Sequence, residues 1–472
     1  MTPAQQQLVD TIRDRLGDKS VVTDADDLAP WLTDWRGRWN GDAPAMLQPA
    51  STDEVAAMVE LAAELGVPLV PQGGNTSMVG GATPPADGSA VILSTRRMNR
   101  IRSIDVASQS CVAEAGVILQ TLHEAVEREG LRFPLTLGSR GSATIGGLTS
   151  TNAGGTQVLR FGPMRALVQG IEAVLPDGTI HHGLTGLKKD NRGSSIDQLL
   201  VAAEGTLGII TAVRLKLVPA IRSRAVAWLG VASPQAALDV LRALEAETGQ
   251  VEGFEILPRE SLEAALAQIP GLRRPLEGEH DWHVLVEAVA HDAADEEPEA
   301  LLARLLAPLM ERGSVEDATI SNSDAQADAF WHIRDSLSEA EKKQFGPATQ
   351  HDISVPVDDM PRFMGEAARA VEAAFPGTHA SGFGHLGDGN VHFHVRAGSR
   401  GGSDWLAREG EAVTRFVHDL VVAAGGSISA EHGIGQMKRD ELARLSPERV
   451  ATLRALKAAL DPKGLFNPGK LV

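Results

Sequence analysis

The stretch GFGHLGDGNVHFHV, residues 382–395, gathers three histidines and an aspartate around four glycines. Neutral imidazoles are good ligands for a divalent metal. His385 and His392 flank GDGN, a sequence that demands a tight turn. VHFHV then alternates, which predicts His392 and His394 on one face of a strand. A third ligand must come from elsewhere, and SAEHGIG offers Glu431, with His432 beside it. Two histidines and one carboxylate leave coordination positions open for a substrate, which is the catalytic pattern. Spacing alone leaves a second reading open: a tight turn followed by a strand that carries satisfied histidines.

Two glycine-rich stretches suggest a different chemistry. PQGGNTSMVGG, residues 71–81, follows a strand-like VPLVPQ, and its small residues let backbone N–H groups approach an anion. It is neither GxGxxG nor GxxxxGK[ST], so the Rossmann and Walker mechanisms do not apply. Residues 136–156, TLGSRGSATIGGLTSTNAGGT, are almost all small. They cannot build a core, but they can wrap a large ligand with backbone and hydroxyl hydrogen bonds.

The elements around these stretches read as α+β. Ser51 and Glu54 have capping-box spacing, and Val55, Met58, Val59 and Ala62 then form one apolar helical face. AVILST, SQSCVAEA and GIEAVL read as strands, as do VAWLGVA and DWHVLVEAVA further on. A helix is predicted around 404–424, and SPERVATLRALKAALD forms another before a Pro/Gly-rich hook. The predicted organisation is a helical segment over 1–45, a ligand-cradling domain over 46–219, a second domain over 220–430 and a C-terminal segment over 431–472.

Composition bounds the function. A chain of 472 residues can hold two or three cores. Its net charge of −18 argues against nucleic-acid partners, and an anionic substrate then needs a local cationic pocket. The single cysteine, Cys111, excludes disulfide scaffolds and Cys-based clusters and reads as a small buried hydrophobe. The polar N-terminus and the absence of a long apolar run lead to the expectation of a cytoplasmic protein without a membrane span.

Taken with RFGPMRALVQGIEAVLPDG, DNRGSSIDQLLVAAEGTLGIIT and LDPKGLFNPGK, the two glycine-rich stretches resemble those of FAD-linked oxidoreductases of the vanillyl-alcohol-oxidase type. Within that group, GHLGDGNVHFHV and SISAEHGIGQMKR resemble the D-2-hydroxyglutarate dehydrogenases, with D-lactate dehydrogenases and the flavin subunit of glycolate oxidase close by. The resemblance implies a two-subdomain FAD-binding domain, an α+β cap domain that carries the substrate, and a C-terminal helical segment. It implies FAD contacts from Pro71, Gly73, Gly74, Asn75, Thr76, Ser77 and Gly80 of the first loop. The second loop would contribute Gly138, Ser142, Gly146, Gly147, Thr149, Asn152 and Gly155. Glu204, Gly205, Gly208, Ile209 and Asn467 complete that set. The first loop holds no His, Cys or Tyr, so FAD is expected to bind non-covalently.

The same resemblance implies that His385, His392 and Glu431 bind Zn2+ or another divalent ion such as Mn2+. The expected reaction oxidises an (R)-2-hydroxy acid, D-2-hydroxyglutarate first, to the 2-oxo acid. His432 would be the general base, and Arg334 would grip a substrate carboxylate. Ser338, Gln350 and His394 are further expected substrate contacts, and each departs from the D-2-hydroxyglutarate dehydrogenase pattern. Ser338 stands for Thr, Gln350 for the Lys of a KHDISLP-like motif, and His394 for Asn. His394 can still donate a hydrogen bond or add a fourth metal ligand. Gln350 weakens the case for a second carboxylate, so D-lactate or another (R)-2-hydroxy acid is the alternative substrate. A flavin-free metallohydrolase and a non-redox flavoprotein transferase are remote alternatives. An electron-transfer flavoprotein or quinone-linked carrier is the expected acceptor, and a homodimer the expected assembly.

Overall fold

In the computed structural model, which describes residues 1–398 and 404–472, the chain is α+β and divides into two units. The first comprises Met1–Gly155, Gly162–Pro219 and Glu431–Val472; the second comprises Thr156–Phe161 and Ala220–Ala430. Residues 1–45 fall within the first unit. No helix among the described residues is long and apolar enough to cross a membrane.

The first unit contains strands β1 (Val21–Val22), β2 (Met46–Leu47), β3 (Leu69–Gln72) and β4 (Val91–Ser94), ordered β1-β2-β4-β3. The helix Thr52–Leu65 buries Val55, Met58, Val59 and Ala62 in the core beside them, as the apolar spacing predicts. Its capping box is only half formed. Ser51 accepts from Glu54 N at 3.2 Å, but the Glu54 carboxylate reaches Ala50 N instead of its cap residue. Strands β5 (Ile101–Asp105), β6 (Ser110–Glu114), β8 (Val168–Val174), β9 (Ile180–His182) and β10 (Ile209–Lys216) make an antiparallel sheet, ordered β5-β6-β10-β8-β9. The pair β7 (Leu131–Arg132) and β11 (Val218–Pro219) stands apart. Cys111 is buried in β6, and burial pushes its thiol up to about 12, so it is chemically inert.

The C-terminal hook returns to β3. Leu69 N donates to Leu465 O at 2.7 Å, and Asn467 N donates to Leu69 O at 2.8 Å. Phe466 is fully buried in the core there, which contributes roughly 1.5–3 kcal/mol. Lys457 anchors the hook by donating to Phe466 O and Thr206 O, while Asp461 accepts from Leu465 N and Phe466 N. The preceding helix, Pro447–Leu460, starts with proline at its first turn, and among the described residues the Ser446 side chain makes no capping bond.

The second unit is built on one seven-stranded antiparallel sheet. Its strands are β12 (Ser223–Val231), β13 (Val251–Pro258), β14 (Trp282–Ala290), β15 (Asp317–Ile320), β16 (Ala348–Ser354), β17 (Thr378–His385) and β18 (Asn390–Ala397). Their order is β15-β12-β14-β13-β17-β18-β16. Val391, Phe393 and Val395 alternate into a large apolar core with residues of the helices Pro234–Glu247, Pro298–Glu311, Met360–Ala374 and Trp405–Ala423. The opposite face packs Trp228, Leu257, Leu285 and Phe383 against the helices Arg259–Gln268, Asp324–Asp335 and Leu337–Phe345. By the period-two rule His392, His394 and Arg396 project to that second face.

Candidate active site

In the second unit, register assembles the histidines. Strand β18 pairs His392 with Phe383 and His394 with Ser381 on β17, and with Asp352 and Gln350 on β16. At the far end of β17, His385 lies opposite Glu255 of β13. The connecting turn needs glycine at Gly389, where φ is 80° and a Cβ would stand 2.1 Å from Val355 O.

His385 donates Nδ1–H to Glu255 Oε1 at 2.6 Å, which leaves the lone pair on Nε2. Arg334, on the helix Asp324–Asp335, donates Nε to Glu255 Oε2 at 2.8 Å and Nη2 to His385 Nε2 at 3.1 Å. Burial alone would raise the Glu255 carboxyl, but the charge of Arg334 and the hydrogen bonds from Arg334 and His385 hold it below its ordinary value. His392, with its ring 5.5 Å from that of His385, is pushed well below its ordinary value by burial and then by Arg334 and His385. It is therefore neutral, with a lone pair available. A carboxylate behind the far nitrogen is the usual partner of a metal-bound imidazole, so these residue types fit a divalent ion, although the Nε2 lone pair of His385 that an ion would take accepts from Arg334 Nη2 here. Among the described residues of this unit, no third His, Cys, Asp or Glu completes a metal-holding group with them.

His394 is engaged differently. Its Nδ1 is 2.6 Å from Glu341 Oε2, and Ser261 donates to the other oxygen of the same buried carboxylate. Gln350 is its half-buried cross-strand neighbour, and Ser338 is exposed on the helix Leu337–Phe345 that carries Glu341. The structure thus brings Arg334, His385 and His392 together and sets Gln350 beside His394. Sequence reasoning missed Glu255 and Glu341. The available signal was a glutamate inside the otherwise apolar FEILP, and one buried carboxylate in the charged run SEAEKK.

The glycine-rich loops meet in the first unit. A Cβ on Gly73 would fall 2.1 Å from Thr144 Oγ1, and one on Gly74 1.9 Å from Ser142 O. Gly155 is equally constrained against Thr136 O, Gly146 packs on Ala115, and Gly205 lies against Pro71. Gly80 approaches Trp39 and Gly208 approaches Leu200, whereas Gly138 and Gly147 are exposed with Ser142. Several side chains are occupied by the protein itself. Asn75 Nδ2 donates to Thr33 O, Ser77 Oγ accepts from Gly81 N, Thr149 donates to Ile145 O, and Asn152 Oδ1 accepts from Arg165 N. Thr76 is half-buried on the first loop. Ile209 is a core residue. Asn467 Nδ2 donates to Gly81 O at 3.0 Å and Glu204 O at 2.6 Å. Thr144 Oγ1 and Asn467 Oδ1 are buried with no hydrogen-bond partner among the described residues. Such orphaned polar atoms beside close-packed glycine loops fit the polar groups of FAD. Glu431 and His432 are half-buried in the same unit, on a segment held by Glu204.

The FAD-linked oxidase C-terminal domain family matches residues 221–471, and an FAD-binding domain family matches residues 43–183. A mitochondrial D-2-hydroxyglutarate dehydrogenase of Bos taurus is 37% identical over 459 residues, 96% of this chain and 81% of its own. A D-2-hydroxyglutarate dehydrogenase of Xanthomonas citri pv. viticola is 35% identical over 96% of this chain and 94% of its own. Among solved structures, p-cresol methylhydroxylase with substrate bound has the same fold, with a TM-score of 0.75 at 16% identity. That match covers 100% of this chain and 97% of the other. The chain belongs to the FAD-linked oxidase family, in the group that holds the D-2-hydroxyglutarate dehydrogenases.

Proposed function

We propose that the protein oxidises an (R)-2-hydroxy acid, D-2-hydroxyglutarate first, to the corresponding 2-oxo acid. The observation that carries the reading is the Glu255–Arg334–His385 cluster beside a neutral His392, which joins an anion-binding guanidinium to oriented imidazole donors. FAD, when bound, supplies the hydride acceptor, and a divalent ion supplies Lewis acidity to the substrate hydroxyl.

The chain's own residues do the rest. Arg334 binds the substrate carboxylate, and Glu255 keeps its guanidinium oriented. His385, once Arg334 Nη2 turns from its Nε2 to the substrate carboxylate, and His392 would hold the ion, with Glu431 as the third ligand that the EHGIG motif implies. His432 takes the hydroxyl proton on an imidazole nitrogen. Thr144 and Asn467 would bind FAD through their buried oxygens, without a covalent tether. We assign FAD binding to residues 46–219, substrate binding to 220–430, and a return to the flavin side to 431–472. Electrons would leave to an electron-transfer flavoprotein or a quinone-linked carrier, and the working assembly would be a homodimer.

One observation favours a second reading of the substrate. The Glu341 carboxylate, bonded to His394, the cross-strand neighbour of Gln350, puts an acidic group rather than a cation where a second substrate carboxylate would bind. D-lactate or another monocarboxylic (R)-2-hydroxy acid then replaces D-2-hydroxyglutarate with unchanged chemistry. Anaerobic flavin bleaching with a panel of (R)- and (S)-2-hydroxy acids, with and without chelator, separates the cases. Bleaching by an (R)-acid that chelator abolishes is expected. A yellow protein that no hydroxy acid bleaches would overturn the dehydrogenase reading.

A further inference from the structure

We propose that Glu204 is a positioning residue: its carboxylate holds the segment carrying Glu431 and His432 against the first glycine loop. The inference rests on the dehydrogenase reading for the roles of those two residues, but the tether itself is a matter of geometry. Glu204 is buried, and its two oxygens are shared out one per amide. Oε1 accepts from Ile434 N at 2.7 Å, and Oε2 accepts from Gly435 N at 2.7 Å. The ionised carboxylate is the form that accepts at both oxygens with no proton of its own to place. Burial raises the Glu204 carboxyl above its ordinary value, and the two amide bonds and the charges of Lys438 and Lys470, both buried, offset part of that rise.

The backbone around this clamp is shaped for it. Glu204 itself has φ 50°, in the left-handed region that a residue with a side chain adopts only when its surroundings enforce it. Gly433 has φ 80°, and a Cβ there would lie 3.0 Å from Glu204 Oε1, so the segment runs flat across the carboxylate. Gly435 has φ 53°, and its Cβ would lie 2.3 Å from Val79 O of the first loop. Gln436 N donates to Val79 O at 3.0 Å, and Gln436 Nε2 donates to Gly80 O at 3.0 Å. On the other side, Leu471 N donates to Gly435 O, and Asn467 Nδ2 donates to Glu204 O. Glu204 therefore fastens the 431–435 segment through its carboxylate and the hook through its backbone carbonyl, while Gln436 ties the same segment to the first loop. An FAD-contact role alone does not require a carboxylate aimed at the Ile434 and Gly435 amides. A base two residues from such a clamp is held in place by it, and a shift of about 1 Å in a catalytic group can cost on the order of 100-fold in rate.

The test uses the FAD-loaded protein, with Glu204→Gln and Glu204→Asp compared against wild type. In Glu204→Gln one oxygen becomes an NH2 that faces an amide donor, so one bond of the clamp is replaced by a clash of donors. The expected result is unchanged FAD content by visible absorbance, faster hydrogen exchange at the Ile434 and Gly435 amides, and a kcat lower by about 100-fold with KM within about twofold. Glu204→Asp keeps the charge but is one methylene shorter, so it should recover part of the kcat, and it stands in if the glutamine variant does not fold. Unchanged exchange at those amides overturns the tether, and so does release of FAD with no change in exchange. A wild-type flavin that no hydroxy acid reduces defeats the dehydrogenase reading instead, while the exchange result still decides the tether.

Discussion

Glu255 and His385 lie opposite each other on neighbouring strands, with the carboxylate oxygen 2.6 Å from Nδ1, although 130 positions of sequence separate them. The contact fixes which nitrogen of His385 carries its proton. It also holds Arg334, because the second carboxylate oxygen takes the Arg334 Nε bond.

Glu255→Gln keeps the shape and removes the charge behind both groups. The expected outcome is a divalent-metal affinity about 10–100-fold weaker, the usual effect of losing the partner of a ligating histidine. Competition with a graded series of chelators, read by residual flavin reduction, measures it. An affinity equal to wild type would mean that the His385 tautomer is set by something else.

Arg334→Lys should raise KM for the hydroxy acid and lower kcat/KM by about 10–100-fold. Lysine replaces a planar fork with a point charge and cannot serve Glu255 and a substrate carboxylate together. Charge-assisted hydrogen bonds are worth about 1.5–3 kcal/mol each, which sets that range. Steady-state kinetics over a range of substrate concentrations checks it, and an unchanged KM would remove Arg334 from the substrate site.

What could be read from the sequence, and what could not, follows the range of the interactions. The alternation of Val391, Phe393 and Val395 with His392, His394 and Arg396 is local, so the face of the strand that carries the imidazoles was legible in the order of the residues. So was the apolar stripe of the helix Thr52–Leu65. Glu255 and Glu341 were not, because each meets its histidine only once distant elements pack on the same face. The glycine loops were legible as a cradle, but the short helix Ile145–Thr151 inside the second one was hidden by its glycines. Glu204 illustrates the same limit. Its motif marked it for the flavin site, whereas its side chain turns to amides some 230 positions away.

Gly74→Ala should cost the protein its flavin. The added methyl would sit 1.9 Å from Ser142 O, a backbone atom that can move only if the two loops part. Gel filtration followed by the ratio of flavin to protein absorbance reads the result. Retention of a full complement of FAD would show that the approach of these loops is not needed to hold it.

Chelator treatment followed by each of Zn2+ and Mn2+ should restore flavin reduction in wild type but not in His392→Ala. Burial and then the Arg334 charge push the His392 imidazole well below its ordinary value, which favours the neutral nitrogen donor. Equal restoration in the variant would place the ion elsewhere.

The polar face also carries a determinant of acid stability at some remove from these residues. Glu260 accepts from Arg396 at 2.7 Å and from His379 at 3.0 Å, and Glu372 lies 3.1 Å from the other nitrogen of His379. Burial alone would raise the Glu260 carboxyl, but the His379 hydrogen bond and the Arg396 charge override it and hold it at about 2, against an ordinary 4.5. A depressed carboxyl stabilises the fold fully above 4.5, and that contribution is lost as pH falls through 2. His379 is shifted the other way, raised above 6.5 chiefly by the same hydrogen bond, so its contribution is complete below 6.5 and is lost as pH rises through the raised value. The two overlap between 4.5 and 6.5, where the cluster is worth most. Glu260→Gln should therefore lower the urea midpoint at about pH 5.5 and converge on wild type near pH 2, measured as unfolding curves at about pH 7, 5.5, 4 and 2.5. A deficit that stays constant down to about pH 2.5 would show that Glu260 stabilises the sheet by packing rather than by charge.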